Sequence, residues 1–304
     1  MTGAQLRSSR VKALHRRRRG RALALAAAGA LIAGLAVGAG SQGGARPVLH
    51  AGPTSWMARL RVLAGPGAGS LQSAELAAED RAIQRTLAYT PYVRVAGSQH
   101  REVALTFDDG PGPYTPQVVH ELAALGAPAT FFEVGIEERY FHQGTAEIVA
   151  HGWPIGDHTE THPPMSTLTR VQQQRQLLQQ ASAIGAFGAP FPHLFRPPYG
   201  VWDRTTLALL RRYRMLMVLW TVDTSDYQLP GVHAIVQSAL QGARPGAIIL
   251  MHDAGGDRSE TVAAIPAVVR GLRARGYRLV TVPQLLLDNP APRRQSSAGL
   301  GAGA

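Results

Sequence analysis

From Arg101 onward, short apolar runs alternate with longer amphipathic segments. The runs read VALTF (103–107), ATFFEVG (129–135), WPIG (153–156), HLF (193–195), MLMVLWTV (215–222), AIILMH (247–252) and YRLVTV (277–282). The segments between them predict helices over about 114–125, 137–151, 169–185, 203–212, 231–242 and 257–275. Thr169 is a suitable cap for the third, with Gly185 at its end. Buried strands alternating with helices predict an α/β fold on a mainly parallel sheet. Seven or so such units point to a barrel, closed or incomplete, rather than a doubly wound sheet. No GxGxxG follows the first strand, so a dinucleotide-binding fold has no support.

Upstream the pattern differs. Ala22–Ala39 carries no charge or strongly polar side chain and follows RRRRGR. A basic segment before an apolar stretch is an export signal, and the small residues Val37–Ala39 offer a cleavage site. Eighteen residues lie near the lower limit for a membrane span, where about 20 are needed. Residues 1–40 therefore read as a cleaved signal peptide or an N-terminal membrane anchor, and either places the rest of the chain outside the cytoplasmic membrane. Residues 41–95 read as a linker, Gly/Pro/Ala-rich to about 69, with a short helix over 73–89. Residues 96–288 read as the folded domain, and 289–304, NPAPRRQSSAGLGAGA, as a disordered tail.

The net charge of +11 changes meaning once it is located. Residues 1–21 hold eight basic side chains and no acid, leaving +3 over the remaining 283 residues. The body is only mildly basic and has no aromatic-basic interleaving, which argues against nucleic-acid binding. With no cysteine in the chain, thiol nucleophiles, thiolate-bound zinc and iron–sulfur clusters are excluded, and any metal must be held by His and carboxylates.

Polar residues gather at the C-terminal ends of the expected strands, where active sites lie in parallel barrels. They are Asp108 and Asp109, His158 and His162, Arg196, Asp223 and Asp226, and His252 and Asp253. The His-x-x-x-His of GDHTETH suits two imidazoles on one cation, and with one carboxylate it makes a common catalytic set with positions left for water and substrate. Either aspartate of TFDDGP could then bind the cation while the other takes a proton from water. Arg196 in FRPPYG could hold a carboxylate bidentately, and His252 is suited to protonate a leaving group near neutral pH.

TFDDGP, HTETH, RPPYG, DTSDY and ILMHD, in that order, resemble the motifs of the NodB-homology polysaccharide deacetylases, carbohydrate esterases that remove acetyl groups from glycans. The resemblance covers about Glu102 to Leu286 and implies a distorted (β/α)7 barrel. It implies Asp108 as catalytic base, Asp109, His158 and His162 as ligands of a divalent metal, and Arg196 as the residue orienting Asp108. The metal implied is zinc, with cobalt, nickel or manganese as alternatives. The backbone N–H of Tyr199 would support the oxyanion, His252 would be the general acid, and Asp226 would tune His252. Leu250 would line the acetyl-methyl pocket. Tyr227 stands where the family usually has Trp and, with Tyr199 and Trp202, is a candidate sugar contact; Trp202 and Trp153 could serve as stacking platforms, but core packing is the favoured role for each. The partner implied is an acetylated glycan, peptidoglycan or chitin-like, met by an exported monomer. Two other functions share much of this pattern: an O-acetyl esterase on xylan or an exopolysaccharide, and a catalytically dead glycan-binding module. The second is disfavoured because every expected catalytic position is filled.

Overall fold

The computed structural model describes residues 68–296. The export segment of residues 1–40, most of the linker and residues 297–304 lie outside the described residues. In chain order the elements are α1 (Ala68–Leu87), β1 (Tyr92–Val93), β2 (Glu102–Asp108), α2 (Thr115–Ala124), β3 (Thr130–Glu133), α3 (Gly135–Glu138), α4 (His142–Ala150) and β4 (Ile155–Asp157). There follow α5 (Arg170–Gly185), β5 (Leu194–Phe195), α6 (Arg204–Tyr213), β6 (Leu216–Val218), β7 (Val222–Asp223), α7 (Val232–Gly242), β8 (Ala247–His252), α8 (Ser259–Ala274), β9 (Arg278–Leu279) and α9 (Val282–Asp288). Every strand pairing in the sheet is parallel, in the order β1-β6-β5-β4-β3-β2-β8-β7, with β9 on the start of β2.

β2 and β8 bury all of their residues, as strands covered on both faces must. Leu105, Phe107, Ile249 and Met251 meet Val118 and Leu122 of α2 and Ile265, Val268 and Val269 of α8 in the largest core cluster. The β2–β8 register sets Asp108 opposite His252, so one pairing brings two ionisable groups to the same rim. Helix ends are fixed locally. Thr169 and Gln172 form a capping box on α5, and Asp203 and Thr206 form another on α6.

The run 215–222 departs from the expected single strand. β6 pairs with β5 and β1, while β7 pairs with β8 on the other side of the sheet. Among the described residues no ladder joins β6 to β7, so the seven-stranded barrel is incomplete. Thr221 spans the opening, with its N–H to the Ile248 carbonyl (2.9 Å) and its hydroxyl to the Arg94 carbonyl. The seventh expected run, 277–282, supplies only the two-residue β9 beside β2.

Both margins of the domain extend further than expected. α1 is a full 20-residue helix that buries Ala82 and Ile83 against the layer containing Leu285 and Leu286, so residues 68–95 belong to the fold rather than to a linker. The tail is also ordered over 289–296. Asn289 is buried, donating to Glu102 Oε2 and accepting from the His100 amide. Gln295 Oε1 accepts from the Arg94 and Val95 amides, just past edge strand β1.

Candidate active site

The five motif-bearing loops meet at one rim, and their backbones are unusual. Seven described non-glycine residues have positive φ, and six of them lie in these loops: Asp109, Thr159, His162, Tyr199, Ser225 and Leu229. Such conformations cost of order 1–3 kcal/mol each and persist where surrounding contacts over-determine them. Here the contacts are specific. Thr159 N–H binds Asp157 Oδ1 (2.7 Å) and His162 N–H binds Thr159 Oγ1 (2.9 Å), two nested turns that swing both imidazoles inward. Val134 N–H binds the Gly110 carbonyl (2.6 Å), and Gly135 N–H binds the Thr159 carbonyl (3.1 Å), tying the Asp loop to the His loop.

Asp108 ends β2 and is buried. Its Oδ1 accepts from Arg196 Nη1 at 2.6 Å, and its Oδ2 lies 3.8 Å from His158 Nε2. Arg196 is wholly buried, with its guanidinium carbon 4.1 Å above the centre of the Phe132 ring. The expected bidentate grip is not what forms. Nη1 also donates to Thr106 Oγ1, while Nε and Nη2 go to the carbonyls of Val218 and Leu219. Those carbonyls lie where the β6 ladder stops, so Arg196 satisfies acceptors freed by the break as well as orienting Asp108.

Asp109 Oδ1 lies 3.2 Å from His162 Nε2 and 3.6 Å from His158 Nε2. One ligand atom from each of the three residues falls within 4.8 Å of the others. His158 Nδ1 is 2.7 Å from the Arg196 carbonyl, which can only accept, so Nδ1 carries a proton and Nε2 is the nitrogen turned towards Asp109. Burial alone would raise Asp109, but the adjacent imidazoles of His158 and His162 outweigh it and hold the carboxyl well below its usual range. A carboxylate and two imidazoles converging in this way suit a divalent cation.

His252 ends β8. Its Nδ1 is 2.8 Å from Asp226 Oδ1, and Asp226 Oδ2 accepts from the His252 amide (2.8 Å) and the Thr261 hydroxyl (2.7 Å). Burial works against a charged His252, yet the Asp226 carboxylate dominates and raises its pKa. Nε2 is thereby left as the exchangeable end of the imidazolium. Leu250 precedes His252 by two residues on β8, so it faces the same side of the strand.

Tyr199 and Tyr227 are exposed at the rim; Tyr227 sets a ring edge against His252 with centroids 5.2 Å apart. Trp202 does not join them. It is buried beside Leu209, Met215 and Met217 with its ring against Tyr92, so it packs the core and offers no face to a sugar. Trp153 likewise stacks on Phe131. Asp253, which the strand-end pattern brought to the rim without a role, proves to brace the Asp loop. It is fully buried, accepts from the Thr115 hydroxyl, and lies so close to Gly110 that a Cβ there would fall 2.5 Å from its Oδ2. Burial, then the charges of Asp109 and Asp108, push its pKa up to about 7.

Sequence reasoning missed a set of buried acids around the His loop. Glu133 pairs in register with Asp157, and Gln180 of α5 donates to the Glu133 carbonyl and to Glu138 Oε1. Glu133 Oε1, Glu138 Oε2, Asp157 Oδ2 and Glu160 Oε2 are all buried without a hydrogen-bond partner. Burial pushes Glu133 and Asp157 far up, and pushes Glu138 to about 10 with neighbouring acids adding to it. The group is thus held largely as neutral carboxyls. A folded pKa of about 10 against an ordinary 4.5 means that Glu138 stabilises the fold fully below pH 4.5 and loses that contribution as pH rises towards 10. E138Q, a neutral mimic, is therefore expected to unfold at a higher temperature than wild type at pH 8, by about 1–3 kcal/mol of stability, with little difference at pH 5. A lower midpoint for E138Q at pH 8 in a thermal melt contradicts the neutral assignment.

A family model described as polysaccharide deacetylase matches residues 96–218. The chitooligosaccharide deacetylase of Sinorhizobium fredii is 37% identical over 213 residues, covering 66% of this chain and 99% of that protein. A peptidoglycan-N-acetylglucosamine deacetylase of Bacillus cereus is 36% identical over 187 residues, covering 60% of this chain and 87% of that protein. Among solved structures, a peptidoglycan N-acetylglucosamine deacetylase in complex with a substituted N-oxidanyl-benzamide superposes with a TM-score of 0.64 at 28% identity, covering 69% of this chain and 97% of that one.

Proposed function

The chain belongs to the polysaccharide deacetylase family, and on that premise we propose that this hydrolase removes the N-acetyl group from N-acetylglucosamine units of a glycan. The observation that carries the reading is the division of Asp108. One oxygen is tied to Arg196, and the other is turned towards His158, beside the Asp109–His158–His162 set and across the β2–β8 pairing from His252.

Asp109, His158 and His162 would hold a divalent cation, zinc in our reading, with cobalt, nickel or manganese as substitutes. Such a cation acidifies water and polarises the acetyl carbonyl. Asp108 Oδ2 takes the proton of the attacking water while Arg196 keeps the carboxylate oriented. Water oxygen bonds to the acetyl carbon, and the Tyr199 N–H donates to the oxygen that gains charge. That amide suits the role because the adjacent Gly200 and Val201 amides are already taken by the Pro197 and Pro198 carbonyls. As the carbon–nitrogen bond breaks, His252 Nε2 gives its proton to the departing amine, with the imidazolium held by Asp226. Acetate and a free amino sugar leave. Leu250 would face the acetyl methyl group, and Tyr199 and Tyr227 would flank the sugar.

The Arg-rich, Ala-rich segment of residues 1–39 supports export, as a cleaved signal or an anchor, which would bring the enzyme to a cell-wall glycan. We take it to act as a monomer.

The Asp226–His252 pair makes a pH prediction. Because Asp226 raises the pKa of His252, its loss lowers it, and the alkaline limb of kcat shifts to lower pH in Asp226→Asn. The rate at the optimum is expected to fall by about 10²–10⁴-fold if proton donation is lost altogether. A pH profile for the variant with an unmoved alkaline limb contradicts the assignment.

A further inference from the structure

We propose that the phenol of Tyr199 is a positioning group for His162, accepting its Nδ1 proton and so fixing the imidazole that completes the cation site; this rests on the deacetylase reading of that site. The two histidines of the pair are supported very differently. His158 is 3% exposed at its side chain and its Nδ1 is held by a buried main-chain carbonyl at 2.7 Å. His162 is 24% exposed, and its Nδ1 lies 3.1 Å from Tyr199 Oη. The Tyr199 ring meets the His162 ring edge-on, with centroids 4.6 Å apart at 64°.

Chemistry assigns the direction of that bond. An imidazole that offers its Nε2 lone pair to a cation keeps its proton on Nδ1, and that proton needs an acceptor. The phenol oxygen accepts it, leaving the phenol O–H free to donate outward. Both residues sit in left-handed backbone, His162 at φ 58° and Tyr199 at φ 59°. The RPPYG turn and the HTETH turn are therefore each bent so that these two rings meet. Tyr199 is 64% exposed, so its contact with His162 is not a by-product of core packing. A sugar resting on Tyr199 would then touch the outer partner of a cation ligand, linking groove and cation site through one side chain.

The test is the zinc affinity of metal-free protein, measured by chelator competition, for wild type, Tyr199→Phe and His162→Ala. The visible absorption of the cobalt forms is recorded in parallel, and thermal unfolding without metal checks the fold. Phe keeps the ring and the backbone amide and removes only the acceptor. Loss of such an outer partner is expected to weaken zinc binding by about 10–100-fold and to alter the cobalt spectrum, with metal-free unfolding unchanged. If wild type and Tyr199→Phe bind zinc within about twofold (about 0.4 kcal/mol by RT ln 2) and give one cobalt spectrum, the inference is overturned and the cation site stands. If wild type takes up no zinc, or His162→Ala binds as tightly as wild type, the cation site itself fails and the inference with it.

Discussion

Asp108→Asn is expected to reduce deacetylation of N-acetylglucosamine oligomers by about 10²–10⁴-fold, the usual contribution of a general base, while zinc uptake persists. Asn preserves the shape of the side chain and an oxygen for Arg196 Nη1, which now sits 2.6 Å from Asp108 Oδ1. It cannot take a proton from water. Asp109, His158 and His162 remain as they were, so affinity for the cation should change far less than rate. The pairing of a large fall in kcat with retained zinc separates Asp108 from the ligands. His158→Ala and Asp109→Ala should lose both. Deacetylation by purified Asp108→Asn at the wild-type rate removes Asp108 from the mechanism.

Arg196→Met carries the second large effect, and its readout is stability. Arg196 is fully buried, and the substitution leaves the Asp108 carboxylate buried without its cation. It also strips a donor from Thr106 Oγ1 and from the carbonyls of Val218 and Leu219. Removing one partner of a buried pair costs about 3–5 kcal/mol. For a domain of this size that corresponds to a fall of roughly 6–20 °C in the unfolding midpoint. Lys is not a substitute, since an ammonium cannot reach a carboxylate and the separate carbonyl acceptors in one planar fork. A midpoint within about 2 °C of wild type means that Arg196 does not hold the break between β6 and β7 together.

What was legible in the sequence follows from what periodicity can and cannot see. Asp108 and His252 stood out because each ends a largely apolar run, and parallel pairing then sets them side by side. The turn over 157–162 was legible as a ligand spacing, but its geometry depends on Asp157 and Thr159 side chains binding backbone amides. The break within 215–222 left no trace in an apolar run, because apolarity reports burial and not pairing. Trp202 was open to both readings because an aromatic beside a catalytic motif has the same sequence appearance whether it faces a sugar or packs the core, and the fold settles it as core. Glu133, Glu138 and Glu160 carry no spacing that marks them in the sequence, and only the fold brings them together around Gln180. The tail misled by composition. Among its Pro, Ser and Ala residues, Asn289 and Gln295 accept from the His100, Arg94 and Val95 amides, contacts visible only once β1 and β2 are in place.

The most direct test of the central assignment is acetate release from N-acetylglucosamine oligomers by one purified preparation, assayed as loaded with zinc, after chelation, and after zinc is restored, beside Asp109→Ala. Release is expected from the loaded protein, to vanish on chelation, to return with zinc, and to be absent in Asp109→Ala. Acetate release that survives full chelation and the loss of Asp109, or a zinc-loaded wild-type protein that releases none, contradicts it.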